Sequence, residues 1–153
     1  MRLYLLILLS AMNPQASADP PRAGQVQSRA APEPRCSLDA ILAAIRITES
    51  GGQADGGRAA IGDGGRALGP YQIHRAYFVD SGVAGAYDDC RDEAFARRVV
   101  IAYWKRWCPA ALEQRDAEVL ARTHNGGPQG ARKDKTLVYW RKVERRLAET
   151  SRP

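Results

Sequence analysis

From residue 38 onward, apolar side chains recur at Leu38, Ile41, Leu42 and Ile45, the spacing that lines one face of a helix. Ser37 stands where a capping hydroxyl is wanted, so a helix is predicted from Leu38 to about Glu49. One more step of four from Ile45 lands on Glu49, immediately before Gly51-Gly52. An acidic residue therefore continues the apolar stripe at the point where the helix ends. A second helix is predicted from Asp92 to Trp107, with Phe95, Val99, Tyr103 and Trp107 at steps of four. A third spans Pro109 to Arg122 with a break near Asp116, followed by a sharp loop at His124-Asn125-Gly126-Gly127-Pro128. The last, from about Lys135 to Ala148, carries Leu137, Trp140, Val143 and Leu147 on one face. Between the first two helices, Gly51 to Gly69 is glycine-rich and reads as turns with a small hairpin. The segment Gly69-Pro70-Tyr71-Gln72-Ile73 then opens a short element that ends near Asp80. There is no internal repeat and no parallel-strand pattern. The fold class predicted is mainly α (α+β), a helical domain with a small β or irregular insert after its first helix.

The region before the first helix has a different character. Arg2 is followed by an uncharged apolar run from Leu3 to Met12 and then by Ala16-Ser17-Ala18, the pattern of a cleaved signal peptide over residues 1–18. The run is shorter than the ~20 residues a membrane-spanning helix needs, so no stable membrane anchor is expected. Residues 19–35, rich in Pro, Ala, Gln and Arg, read as a flexible linker, which leaves residues 36–150 as one folded domain. The expected location is secreted or periplasmic. Export favours disulfide formation, so one bridge is expected among Cys36, Cys90 and Cys108 with one thiol left over, and all three pairings stay open. None of the cysteines adjoins a histidine in sequence, which argues against a nucleophilic thiol.

The formal charge is +6, with much of it in Arg91 to Arg106 and Arg132 to Arg146. Those runs are first of all solvated helix faces, although they also suit attraction to an anionic polymer such as a cell wall. A nucleic-acid partner is not expected, because no recognition motif accompanies the charge. A phosphate-binding loop is excluded as well, since the glycine-rich stretch lacks a Lys-Ser/Thr ending and a preceding strand.

Glu49 is the residue with chemistry to offer. A carboxylic acid that must donate a proton near neutral pH has to be lifted above glutamate's ordinary pKa of ~4.3. Desolvation on an apolar stripe and the negative potential of a helix C-terminus both act in that direction. A second carboxylate is then sought on the glycine-rich stretch, where Asp55 and Asp63 are the candidates. Asp63, within Ile61-Gly62-Asp63-Gly64-Gly65, has small neighbours that leave room for a sugar. Such a pair suits glycosidic cleavage, either retaining with a carboxylate nucleophile or inverting across a wider gap.

Four segments in order, Glu49-Ser50-Gly51-Gly52, Ile61-Gly62-Asp63, Leu68-Gly69-Pro70-Tyr71-Gln72-Ile73 and His124-Asn125-Gly126-Gly127-Pro128, resemble the invertebrate-type (destabilase-like) lysozymes. The segment Thr136-Leu137-Val138-Tyr139-Trp140 is similar to their final helix. The resemblance covers about a hundred residues, far more specific than Glu-Ser-Gly, which lytic transglycosylases share. It implies a lysozyme-like fold, hydrolysis between N-acetylmuramic acid and N-acetylglucosamine in peptidoglycan, and no metal or organic cofactor. Carried over by motif, Glu49 is the general acid, Asp63 the nucleophile, and Tyr71, Gln72, His124 and Asn125 lie along the sugar-binding cleft. Peptidoglycan glycan strands are the implied partner, and the oligomeric state stays open. The animal members are densely cross-linked, whereas three cysteines are closer to the family's sparser, bacterial branch. The isopeptide cleavage ascribed to some leech members is not expected, because no serine lies between Ser50 and Ser81.

Overall fold

The computed structural model describes residues 36–150. The expected signal peptide and linker, residues 1–35, lie outside the described residues, as do residues 151–153. Six helices and a small antiparallel sheet make up the domain, in the order α1 (Leu38–Ser50), β1 (Ile61–Gly62), β2 (Ala67–Leu68), β3 (Ile73–His74), α2 (Arg75–Ser81), α3 (Glu93–Trp107), α4 (Pro109–Gln114), α5 (Ala117–Gly126) and α6 (Leu137–Thr150). This is the α+β architecture expected, with the sheet inserted after the first helix.

α1 begins where the Ser37 hydroxyl accepts from the amide of Ala40, and ends at Gly51, whose left-handed backbone sends its N–H back to Ile47. Ile41, Leu42 and Ile45 are fully buried, each contributing about 1.5–3 kcal/mol by leaving water. They pack beneath α6, which buries Val143 and Leu147. α3 starts on an Asp92 cap and buries Phe95, Val99, Val100, Tyr103 and Trp104. Trp107, expected on the same stripe, is one of the exposed large apolar residues. Steps of four advance about 40° each around a helix of 3.6 residues per turn, so the series drifts off the buried face and Trp104 takes its place.

The predicted break at Asp116 is present, because its carboxylate caps a new helix by accepting from Val119. That helix runs past Arg122, however, so His124, Asn125 and Gly126 form its last turn and not a loop. Arg122 explains the extension. Nearly buried, it bonds Glu118, the Thr136 hydroxyl and the Lys133 carbonyl, fastening α5 to the turns that lead into α6.

The three strands have two residues each and run in the order β1-β2-β3, with Ile61 opposite Leu68 and Ala67 opposite His74. Gly69, at φ +71°, closes the turn after β2 where its missing Cβ lets the carbonyl of Cys90 approach. The expected disulfide is not formed, and Cys36, Cys90 and Cys108 are all free thiols. They sit on different elements and serve as small apolar groups of the core, Cys90 fully buried and the other two packed against it. Among the described residues no helix is long and apolar enough to cross a membrane.

Candidate active site

A cavity of about 270 Å³ lies between the end of α1, the small sheet, and the last turn of α5. Its wall is made by Glu49, Asp63, Ala67, Gln72, His74, Tyr77, His124 and Asn125. Five of the six residues expected to act together, separated by as much as 76 positions in sequence, are thus brought to one place.

Glu49 occupies the last turn of α1 with its side chain 18% exposed. Burial is the main influence on its carboxyl and raises the pKa above the ordinary value, while Tyr139 and Lys142 on α6 pull it back down. The Tyr139 hydroxyl faces the carboxyl closely enough to exert that effect, yet it is buried without a hydrogen bond of full geometry.

His124 contacts the same carboxyl from α5, its Nε2 lying 3.6 Å from Oε1 of Glu49. Its ring is almost inaccessible, and burial pushes its pKa down to about 4, so it is neutral near neutral pH. The partners fix its tautomer. Nε2 faces the carbonyl of Tyr71 at 3.1 Å, an acceptor only, and must therefore carry the proton. Nδ1 is then bare and accepts from the hydroxyl of Tyr77 at 3.2 Å. His124 consequently stands beside Glu49 as a neutral ring, its Nε2–H held by the Tyr71 carbonyl.

Asp63 follows β1 in a short 3₁₀ turn, at φ +50°. Gln72, on the facing turn, is left-handed as well at φ +46°. Non-glycine residues seldom hold that conformation, and such strain gathers at functional sites. Asp63 is half exposed, accepts from Arg66 Nη2 at 2.8 Å and lies 3.7 Å from His74 Nε2. The Gln72 amide donates to the Gly69 carbonyl, and its carbonyl end packs over Gly62, where a side chain would collide with it. Asp55, the other candidate, is committed elsewhere: its two oxygens accept from the amides of Gly57 and Ala59, and these bonds lower its pKa. It is a turn-former.

Tyr71 departs from expectation. Its side chain is 1% exposed and packs in the core, and burial drives its phenol up to about 12. What it gives the site is its backbone carbonyl, which orients His124. His74 and Tyr77 were not anticipated in the wall. His74 could have been found from the alternation of a strand, since Ile73 is buried and its neighbour must face the other way. Among the described residues, no group of three or more His, Cys, Asp or Glu side chains is placed to hold a metal ion.

No family model matches the chain. Invertebrate-type lysozyme 6 of Caenorhabditis elegans is 36% identical over 94 residues, which cover 53% of this chain and 67% of that protein. The chain belongs to the invertebrate-type lysozyme family. Lysozyme 1 of Crassostrea virginica is 40% identical over 80 residues, covering 51% of this chain and 44% of that protein. The chain spans about half the length of this relative. The lysozyme of Meretrix lusoria, in its inhibitor-bound crystal structure, is similar in fold with a TM-score of 0.60 and 31% identity, over 72% of this chain and 90% of that one.

Proposed function

We propose that this chain is an exported lysozyme that hydrolyses the bond between N-acetylmuramic acid and N-acetylglucosamine in peptidoglycan, with Glu49 as general acid and Asp63 as the second carboxylate. The observation that carries this reading is the pairing of two unlike carboxyl groups on one cavity. Glu49 is desolvated and raised in pKa, while Asp63 is half exposed beside the Arg66 guanidinium. Environments that differ in this way suit one group to give a proton and the other to stay charged.

In the proposed sequence Glu49 protonates the leaving oxygen as the glycosidic bond breaks. Asp63 attacks the anomeric carbon, or stabilises its positive charge, from the opposite wall. Glu49 then takes a proton from the incoming water. Asn125 and Gln72 are placed to bond sugar hydroxyls and N-acetyl groups along the cavity, while His124, its two ring nitrogens held by Tyr71 and Tyr77, backs the wall beside Glu49. The basic side chains of α3 and α6 favour approach to an anionic wall, and the mature protein acts outside the cytoplasm.

The test is mass spectrometry of fragments released from purified peptidoglycan by the parent, Glu49→Gln and Asp63→Asn. Reducing muramic ends, lost in both variants, are the expected result, with Glu49→Gln slower by on the order of 10²–10⁴. Anhydro ends that require only Glu49 would make the chain a lytic transglycosylase. A folded parent that releases nothing would make it a peptidoglycan-binding module.

A further inference from the structure

Among the described residues, two buried side-chain polar atoms have no hydrogen-bond partner, Trp104 Nε1 and the Tyr139 hydroxyl. Leaving such a group unmatched costs about 1–3 kcal/mol, and that cost asks for an explanation. Trp104 lies in the core. Tyr139 stands in the first turn of α6, and its hydroxyl faces Glu49.

The other groups around Glu49 are engaged or distant. From α5, His124 turns its Nε2–H to the Tyr71 carbonyl. From α2, Tyr77 gives its proton to His124 Nδ1. Lys142, three residues beyond Tyr139 on α6, acts on Glu49 through its charge. Asp63 faces it across the cavity. The Tyr139 hydroxyl has no hydrogen bond of full geometry, and the group it acts on is the Glu49 carboxyl itself.

We propose that Tyr139 is a positioning residue of the reaction, its hydroxyl donating to the Glu49 carboxylate once the Glu49 proton has passed to the leaving oxygen. The proposal rests on reading Glu49 as the general acid. As the glycosidic bond breaks, the Glu49 proton moves to the departing oxygen and the negative charge stays on Glu49. Tyr139 keeps its own proton throughout and only tightens its contact. The donation relaxes when water returns a proton to Glu49. Burial by itself would hold the proton on Glu49 and make it slow to leave, so a donor that acts chiefly on the charged form balances that effect. Its phenol is buried and pushed well above its ordinary pKa, which keeps it protonated at every working pH. The buried hydroxyl, short of full hydrogen-bond geometry at rest, is then a donor whose bond to Glu49 completes when the carboxylate forms.

The experiment compares the full-length secreted parent with Tyr139→Phe and Glu49→Gln. It reads kcat, KM and the pH profile on soluble peptidoglycan fragments, and the titration of the Glu49 carboxyl by carbon-13 NMR. Tyr139→Phe is expected to melt no lower than the parent, since it removes an unmatched buried group. Its kcat should fall by about tenfold with KM unchanged, the loss of one hydrogen bond to a charged group. Without the donor the carboxylate is less favoured, so the alkaline limb and the Glu49 titration both move to higher pH. An active parent, an inactive Glu49→Gln and an unmoved limb and titration in Tyr139→Phe would overturn this proposal alone. Parent-like activity in Glu49→Gln would overturn the acid assignment and this proposal with it.

Discussion

Acid is expected to weaken this fold through a single ring. His124 is held neutral down to about pH 4 by burial, whereas an unfolded chain protonates its imidazole at the ordinary value of 6.5. Below pH 6.5 the unfolded state therefore binds a proton that the folded state refuses, and stability falls with pH until about pH 4. Across that window the loss is about 3 kcal/mol, a large share of the ~5–15 kcal/mol that holds a domain together. Glu49 works in the opposite sense, because its raised pKa lets the folded chain take up a proton before the unfolded one does. The two must be separated, and His124→Gln does so. The amide can still donate to the Tyr71 carbonyl and accept from Tyr77, but it does not titrate. Urea unfolding of both proteins at about pH 7, 5.5 and 4.5 gives the stability gap at each pH. The variant is expected to be weaker at neutral pH, with the gap closing by about 2.5 kcal/mol between about pH 7 and 4.5. A gap that stays constant over the whole range would refute the reasoning, since it would mean that His124 is not the group that resists protonation.

Gly69→Ala is expected to cost at least about 2 kcal/mol, read as a lowered melting temperature, because the new Cβ meets the Cys90 carbonyl in a left-handed backbone. Gln72→Gly should lower turnover with little change in melting temperature, because relief of about 1 kcal/mol of backbone strain at φ +46° is offset by loss of the bond to the Gly69 carbonyl. Thiol titration in denaturant should count three groups in the chain. In the native protein Cys90 should resist mass-tagging reagents, being fully buried with its thiol pushed up to about 11, and its rapid labelling would contradict the packing described.

The long helices α1, α3 and α6 were legible because each buries one stripe, and a stripe leaves a period in the sequence. Glu49 was legible for the same reason, as a charge on an apolar row. The α5 end was misread because Gly126-Gly127-Pro128 signals a loop so strongly, whereas the clasp made by Arg122 with Thr136 and Lys133 is a long-range contact that no local pattern records. Tyr71 was placed in the cleft through its motif. The motif serves the cleft through a carbonyl, and a backbone atom has no residue type to read. Tyr139 was visible as part of a segment, but its direction toward Glu49 depends on how α6 lies against α1, which is a fact of packing.

The two carboxyl groups are carried by supports of very different strength. Glu49 ends a helix of 13 residues with a fully buried face, whereas Asp63 hangs from strands of two residues each. Segments with little buried surface open locally at a small fraction of the global free energy, and helices rooted in a core open near the full value. The acid is therefore anchored by the core, whereas its partner rests on an exposed turn at the edge of the sheet, so local opening costs less on the Asp63 side and a glycan strand that bridges both walls would raise that cost by binding.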